Sequence, residues 1–438
     1  MAGGTFTAQN KTRPGAYINV RSESIAASGE GISGVVTMPI VADFGTSQEV
    51  IEVSSATNFN QLFGEGLESD NLMLVGEALK RGATVLLYRV NGGEKATAEI
   101  SASVNATAKH EGIIGNKIRV VVRESIDETD KYDVLTYLDA QLADNQSGVA
   151  TVADLEDNHL VVFSGSGALA VTAGVTLEGG ASAEAESGDY SDYLEAISVH
   201  EFNVMAITVA EETTKIAAAN FVKRLREDEG LKCQAVAGNH PANHEGIINV
   251  TNGVVLANGK ELSAAQATAF VAGATAAAGV NESLTYSPYD GAVDVTPRLK
   301  DSETVSALNA GELVFTLNKD TVVIEQDINS LTSFTVEKNQ DFRKNRVLRV
   351  LDNIANNSKE VFLNNFVGRI NNNEDGRALF LANRIAYFES LQDIGAIEDF
   401  VADEVSIRAG EAKDAVLMDV YIKPVDSMEK LYMTVRVQ

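Results

Sequence analysis

Hydrophobic and polar positions alternate most cleanly at the two ends of this chain. Residues 415–438 read AVLMDVYIKPVDSMEKLYMTVRVQ, two strand-like runs in succession. In the second run Leu431, Met433, Val435 and Val437 fall on one face, and Tyr432, Thr434, Arg436 and Gln438 on the other. Near the start, after the turn signal Pro14-Gly15, Ala16, Ile18 and Val20 alternate with Tyr17, Asn19 and Arg21. An unpaired strand edge recruits other chains unless it is blunted. The pattern therefore predicts two strand arms that pair between subunits, carried by Tyr17, Ile18, Val20, Leu431, Met433, Val435 and Val437.

Between the arms the period changes several times. A small-residue strand over 31–42 and a short strand at 51–53 precede a short helix at 58–63, closed by Gly64. A helix over 71–80 and a buried-type strand over 84–90 follow, which is an α/β order. After Asn91-Gly92-Gly93 the chain turns almost wholly to short β runs until about residue 177, and 179–188 is a small, acidic linker. The α/β pattern resumes with a helix at 191–198, a strand at 204–209, a helix at 211–228, strands at 233–237 and 248–255, and an alanine-rich helix over 263–277 with Ser263 as its cap. A hairpin (313–317 and 322–326), helices over 339–357, 360–368 and 377–390, and the terminal strands complete the chain. The expected class is α+β multidomain. An N-terminal arm (1–28) leads into an α/β domain in two parts (29–93 and 181–310). That domain is interrupted by an inserted β-rich sandwich or barrel (94–180). A C-terminal α/β domain (311–438) carries the strand arm.

Charge narrows the partners. With 35 basic and 62 acidic residues among 438, the net charge is −27, which argues against general nucleic-acid binding. No apolar run is long enough for membrane insertion, and the N-terminus has no apolar core of a signal peptide. The single cysteine, Cys233, reads as a small core residue.

No chemistry-bearing constellation emerges. The glycines at 29, 31 and 34 form a literal G-x-G-x-x-G, but they precede a strand rather than a helix. His240 and His244 flank Pro241 in what reads as a surface loop. Gly165-Ser166-Gly167 lacks the nucleophile-elbow pattern. The chain is expected to be no enzyme and to hold no cofactor or metal. One local reversal stands out: residues 338–384 carry nine basic and five acidic side chains, a net +4. On a helix there, Val347, Val350, Leu351 and Ile354 share one face, while Arg346, Arg349, Asn353 and Asn356 lie on roughly the opposite one, as a solvated surface, a face paired with this chain's own carboxylates, or a docking face for an acidic partner.

The segments RPGAYINV (13–20), YDGAVDVTPRLKD (289–301), the helical stretch after Asn339 and the final DVYIKPVDSMEKLYMTVRVQ together resemble the contractile phage tail sheath proteins of Gram-positive phages, defective prophages and tail-like bacteriocins. The resemblance implies a structural subunit made without a signal peptide and placed in a virion tail or tail-like particle. It implies stacked hexameric rings in a helical homopolymer around an inner tail tube, contraction that drives the tube through a cell envelope, and contacts with baseplate and tail terminator proteins. It also implies that the N-terminal arm completes the C-terminal domain, and that Lys344, Arg346, Arg349 and Asn353 face the tube. The other reading of the residues is a soluble oligomeric binding or adhesion protein with α/β and β-sandwich domains. Long helical polymers would separate the first reading from discrete oligomers in the second.

Overall fold

A computed structural model of the chain describes residues 3–4, 13, 15–18 and 34–437. The architecture is α+β and multidomain, in two compact units. The first draws on Met1–Thr37, Glu77–Thr84 and Val199–Gln438, the second on Met38–Gly76 and Val85–Ser198.

The first unit is built on parallel strands. Glu312–Leu313, Ile247–Val250, Gln234–Gly238 and Val204–Ile207 lie in that order, and Val204–Ile207 pairs onward with Val36 and Thr37. Their side chains are buried on both faces, which is why the sequence reads as continuous apolar runs rather than alternation. The Ala264–Ala277 helix packs on two of these strands, and Ser263 caps it by accepting from the Gln266 N–H. Its small residues allow close approach: a Cβ on Gly273 would sit 2.1 Å from the Ala78 carbonyl oxygen. The stretch expected as one strand at 248–255 is two, Ile247–Val250 and Gly253–Leu256. Between them Asn252 grips the backbone of Phe315 in both directions, at 2.8 Å each, and turns the chain into a small antiparallel sheet with Glu261–Leu262 and Ala292–Thr296.

The C-terminal part of this unit holds the Asn345–Val361 helix, which runs on through a π turn at Phe362–Phe366, and the Glu374–Asp393 helix. A hairpin of Val405–Ala409 and Val416–Val420 follows, with Ile407 opposite Met418. Val350, Ile354, Phe388, Leu391, Ile397 and Phe400 form its core.

In the second unit Val50–Val53 pairs antiparallel with Thr84–Arg89. Sheets of four strands (Gln141–Val149, Tyr132–Leu138, Ile118–Glu124, Thr172–Thr176) and three strands (Val161–Gly165, Val104–Ala108, Thr97–Ser101) share one apolar core and make a β-sandwich. Gly93–Glu94 pairs with Ala181–Ser182 where the sandwich begins and ends. Phe44 belongs to the same core, and the buried Arg89 donates to the carbonyls of Gly45 (2.7 Å) and Glu111 (3.0 Å). The β-rich segment is thus packed together with residues upstream of it.

Candidate assembly surfaces

The C-terminal run takes no strand partner among the described residues. Only Val416–Val420 of the two terminal runs is paired. Beyond it, Ile422 and Pro424 sit in isolated bridges, Pro424 opposite Ile397, and the Val425 N–H donates to the Ala396 carbonyl at 3.0 Å. The last residue of the segment that is not exposed is Glu429. Its carboxylate accepts from Gln326 Nε2 (2.7 Å) and Thr285 Oγ1 (2.9 Å) and pairs with the Lys344 ammonium. Burial alone would raise the Glu429 pKa, but the hydrogen bonds from Lys344 and Gln326 bring it below the usual carboxylate range. Past Glu429 the extended chain is open to solvent, from Leu431 at 85% exposure to Val437 at 93%, with Met433 and Val435 likewise exposed. The absence of a strand there has a simple cause: a strand exists only through its ladder, and this chain alone supplies none.

At the other end, Ala16–Tyr17 pairs in parallel with Gly3–Gly4 and lies against the Asn345–Val361 helix. Ala16 is buried, the Tyr17 hydroxyl donates to the Arg13 carbonyl at 2.7 Å, and Ile18 is half-buried. Val20 and the glycines at 29 and 31 lie outside the described residues.

The polar face of the Asn345–Val361 helix departs from expectation. Arg346 is only 8% exposed and donates through Nε to the Asn281 carbonyl at 2.9 Å. Arg349 donates to the Glu282 carbonyl (2.6 Å) and pairs with Asp327 (3.4 Å). Asn356 bonds the Lys232 backbone at both its N–H and its carbonyl, 2.9 Å each, and Asn353 accepts from the Tyr387 hydroxyl at 3.3 Å through its carbonyl. On the same helix Asp352 takes a bidentate pair from the buried Arg226, at 2.7 and 2.8 Å. Of the readings open for this face, the solvated surface is corrected and pairing within the chain is what occurs: neighbouring segments bring carbonyls and carboxylates onto it, and Arg346 and Arg349 are engaged within the fold. A substitution at Arg346 tests folding rather than docking. Of the four positions assigned to a tube contact, Lys344 is joined to the C-terminal arm, Arg346 and Arg349 bind the loop at 281–282, and Asn353 meets Tyr387 of the Glu374–Asp393 helix.

The remaining chemistry candidates are structural. His240 and His244 are buried rather than on a surface loop, because carboxylates of the helix beside them reach both rings. His240 Nδ1 meets Glu212 at 2.7 Å, and His244 Nε2 meets Glu227 at 3.3 Å. His244 Nδ1 accepts the Gly246 N–H at 2.9 Å. No group of three or more metal-ligating side chains occurs among the described residues. Cys233 is buried, and burial pushes its thiol up to about 12, which makes it unreactive. No helix among the described residues is long and apolar enough to cross a membrane.

Sequence profiles of known families match consecutive stretches of the chain. They are the tail sheath protein Gp18 domain III N-terminal region over 33–90, the phage tail sheath protein beta-sandwich domain over 91–182, the phage tail sheath protein central domain over 183–330, and the phage tail sheath C-terminal domain over 337–438. The sheath tail protein of Desulfitobacterium hafniense, a solved structure, is 43% identical, with a TM-score of 0.85 over 97% of this chain and 100% of its own. The chain belongs to the phage tail sheath family.

The phage-like element PBSX protein XkdK of Bacillus subtilis is 37% identical over the full length of both chains. The helical sheath of the anti-feeding prophage in its contracted state shares the fold, with a TM-score of 0.59 at 13% identity over 98% of this chain and 100% of that one. The family is a structural one, so this sheath chain is not an enzyme, and its place is a virion tail or a phage-tail-like particle.

Proposed function

We propose that this sheath chain polymerises by strand exchange into stacked hexameric rings around an inner tail tube, and that contraction of the stack drives the tube through a target envelope. One observation carries the reading: a run of alternating apolar side chains, 431–437, stands in solvent with its root fixed to the core and its backbone without a ladder among the described residues. Such a segment is completed by adding itself to a sheet edge of a neighbouring copy. The fold shared with a contracted helical sheath supports this direction. The net charge of −27 makes free subunits repel, so assembly relies on specific pairing rather than on general stickiness.

Contraction requires two packings of one folded subunit, the extended one metastable, and arms that stay paired through the change would keep the polymer whole. Baseplate and terminator proteins would close the two ends of the stack. The tube contact is assigned to the Asn345–Val361 region, with Lys344, Arg346, Arg349 and Asn353 holding the helix in register and more exposed basic residues of the same segment, such as Arg369, meeting the tube.

Truncation after Lys430 tests the proposal. The shortened protein is expected to fold and melt as the full chain does, yet to form no sheaths under negative-stain electron microscopy. Normal sheaths from the truncated chain would refute it.

A further inference from the structure

We infer that Glu429 is the positioning residue of the C-terminal arm, a side-chain rivet that fixes where the folded subunit ends and the exchangeable strand begins; this rests on the strand-exchange reading above. The chain leaves the core gradually. After Val425 it has no backbone bond to the core among the described residues, and Met428 is fully exposed. Glu429 then returns to the core through its side chain alone, which is 10% exposed, while every described residue after it faces solvent.

The rivet joins three separated pieces of sequence. Thr285 comes from the loop before the strand Ala292–Thr296, Gln326 from just after the strand Thr321–Ile324, and Lys344 from the position preceding the Asn345–Val361 helix. Ser427 adds a further donor at 3.3 Å, and Asp426 shares Lys344 at 3.4 Å. A carboxylate with four donors around it is a charge-assisted site, stronger and more directional than ordinary surface pairs. An apolar residue at this position would leave Lys344 and Gln326 without their acceptor.

Placement at Glu429 has a geometric consequence. Nine residues follow it, and an extended chain of that length spans about 30 Å at most. The acceptor edge on the neighbouring copy must lie within that radius of Glu429. Without the rivet the loose segment would begin after Val425, lengthening from nine residues to thirteen. A longer tether explores more space and must order more backbone on pairing, so its effective concentration at the acceptor edge falls.

The test uses full-length subunits carrying Glu429→Ala, Glu429→Gln, Thr285→Val or Lys344→Met, beside the truncation after Lys430. Backbone 15N order parameters over 426–430 in the free subunit, the concentration at which sheaths appear, and the melting midpoint are read together. Glu429→Ala is expected to lower the order parameters over 426–430 to those of 431–437 and to raise the assembly concentration about tenfold, with little change in melting. Glu429→Gln, which retains an acceptor for Thr285 and Gln326, should fall between it and the native chain. If Glu429→Ala assembles at the native concentration while the truncated chain does not, the rivet is refuted and strand exchange stands. If the truncated chain assembles normally, both fall. Should Glu429→Ala fail to fold, Thr285→Val and Lys344→Met decide: native assembly by both refutes the rivet, and a raised threshold in either supports it.

Discussion

Single residues in this sheath chain behave according to what faces them, which charge counts along the sequence do not reveal. Glu245 is the sharpest case. Burial would raise its pKa, but the charges of His244, Arg226 and Lys338 hold it down at about 2. A carboxyl group depressed in the folded state contributes stability above its unfolded pKa and loses it as pH falls toward the folded value. From an ordinary value near 4.5 down to about 2, that contribution is of order 3 kcal/mol at neutral pH, and more than half of it should be gone by pH 3. Urea midpoints of native protein and Glu245→Gln should therefore differ widely at pH 7 and converge on acidification. A gap independent of pH would show that the charges around Glu245 do not act through its ionisation. The network that decides this was invisible in the sequence, because Glu245, Arg226 and Lys338 are far apart along the chain and only the fold brings Lys338 Nζ within 2.6 Å of the carboxylate.

Among the elements, the alanine-rich helix was legible and its packing was not. Small residues with a Ser263 cap announced a helix over 263–277, and the helix runs Ala264–Ala277. What the composition serves is contact between backbones at Gly273. Helix propensity alone would make Gly273→Ala stabilising by about 1 kcal/mol. A methyl 2.1 Å from the Ala78 carbonyl oxygen instead forces the elements apart, costing about 1–3 kcal/mol. The clash is the larger effect, so the urea midpoint should fall; a rise would mean the helix can shift freely. The same contrast holds for the terminal run. Its period of two was plain in Leu431, Met433, Val435 and Val437, yet no strand forms, because pattern supplies a face and only a neighbour supplies the ladder.

For the whole molecule, the composition changes at Asn91-Gly92-Gly93, and the Gly93–Glu94 pairing with Ala181–Ser182 closes the β-rich region. Its independence does not follow. Phe44 shares its core, Gly112 abuts the Asp43 carbonyl so closely that a Cβ would sit 1.9 Å from its oxygen, and Arg89 donates to the Glu111 carbonyl. Excising 94–180 behind a short linker should expose Phe44 and strip Arg89 of an acceptor. The product is expected to bind a hydrophobic dye and to lose a sharp melting transition. A soluble, cooperatively melting product would show that the segment is separable.

By itself the sequence determined the element types, the order of α/β and β-rich regions, the family, and the alternating arms, because these depend on local period and on recognisable strings. Only the tertiary structure decided that the basic helix spends its charges inward, that both histidines are buried against carboxylates, and that Glu429 pins the arm to Lys344. Burial and pairing are properties of distant segments meeting, and nothing in local spacing records which carbonyl or carboxylate will arrive opposite a given cation.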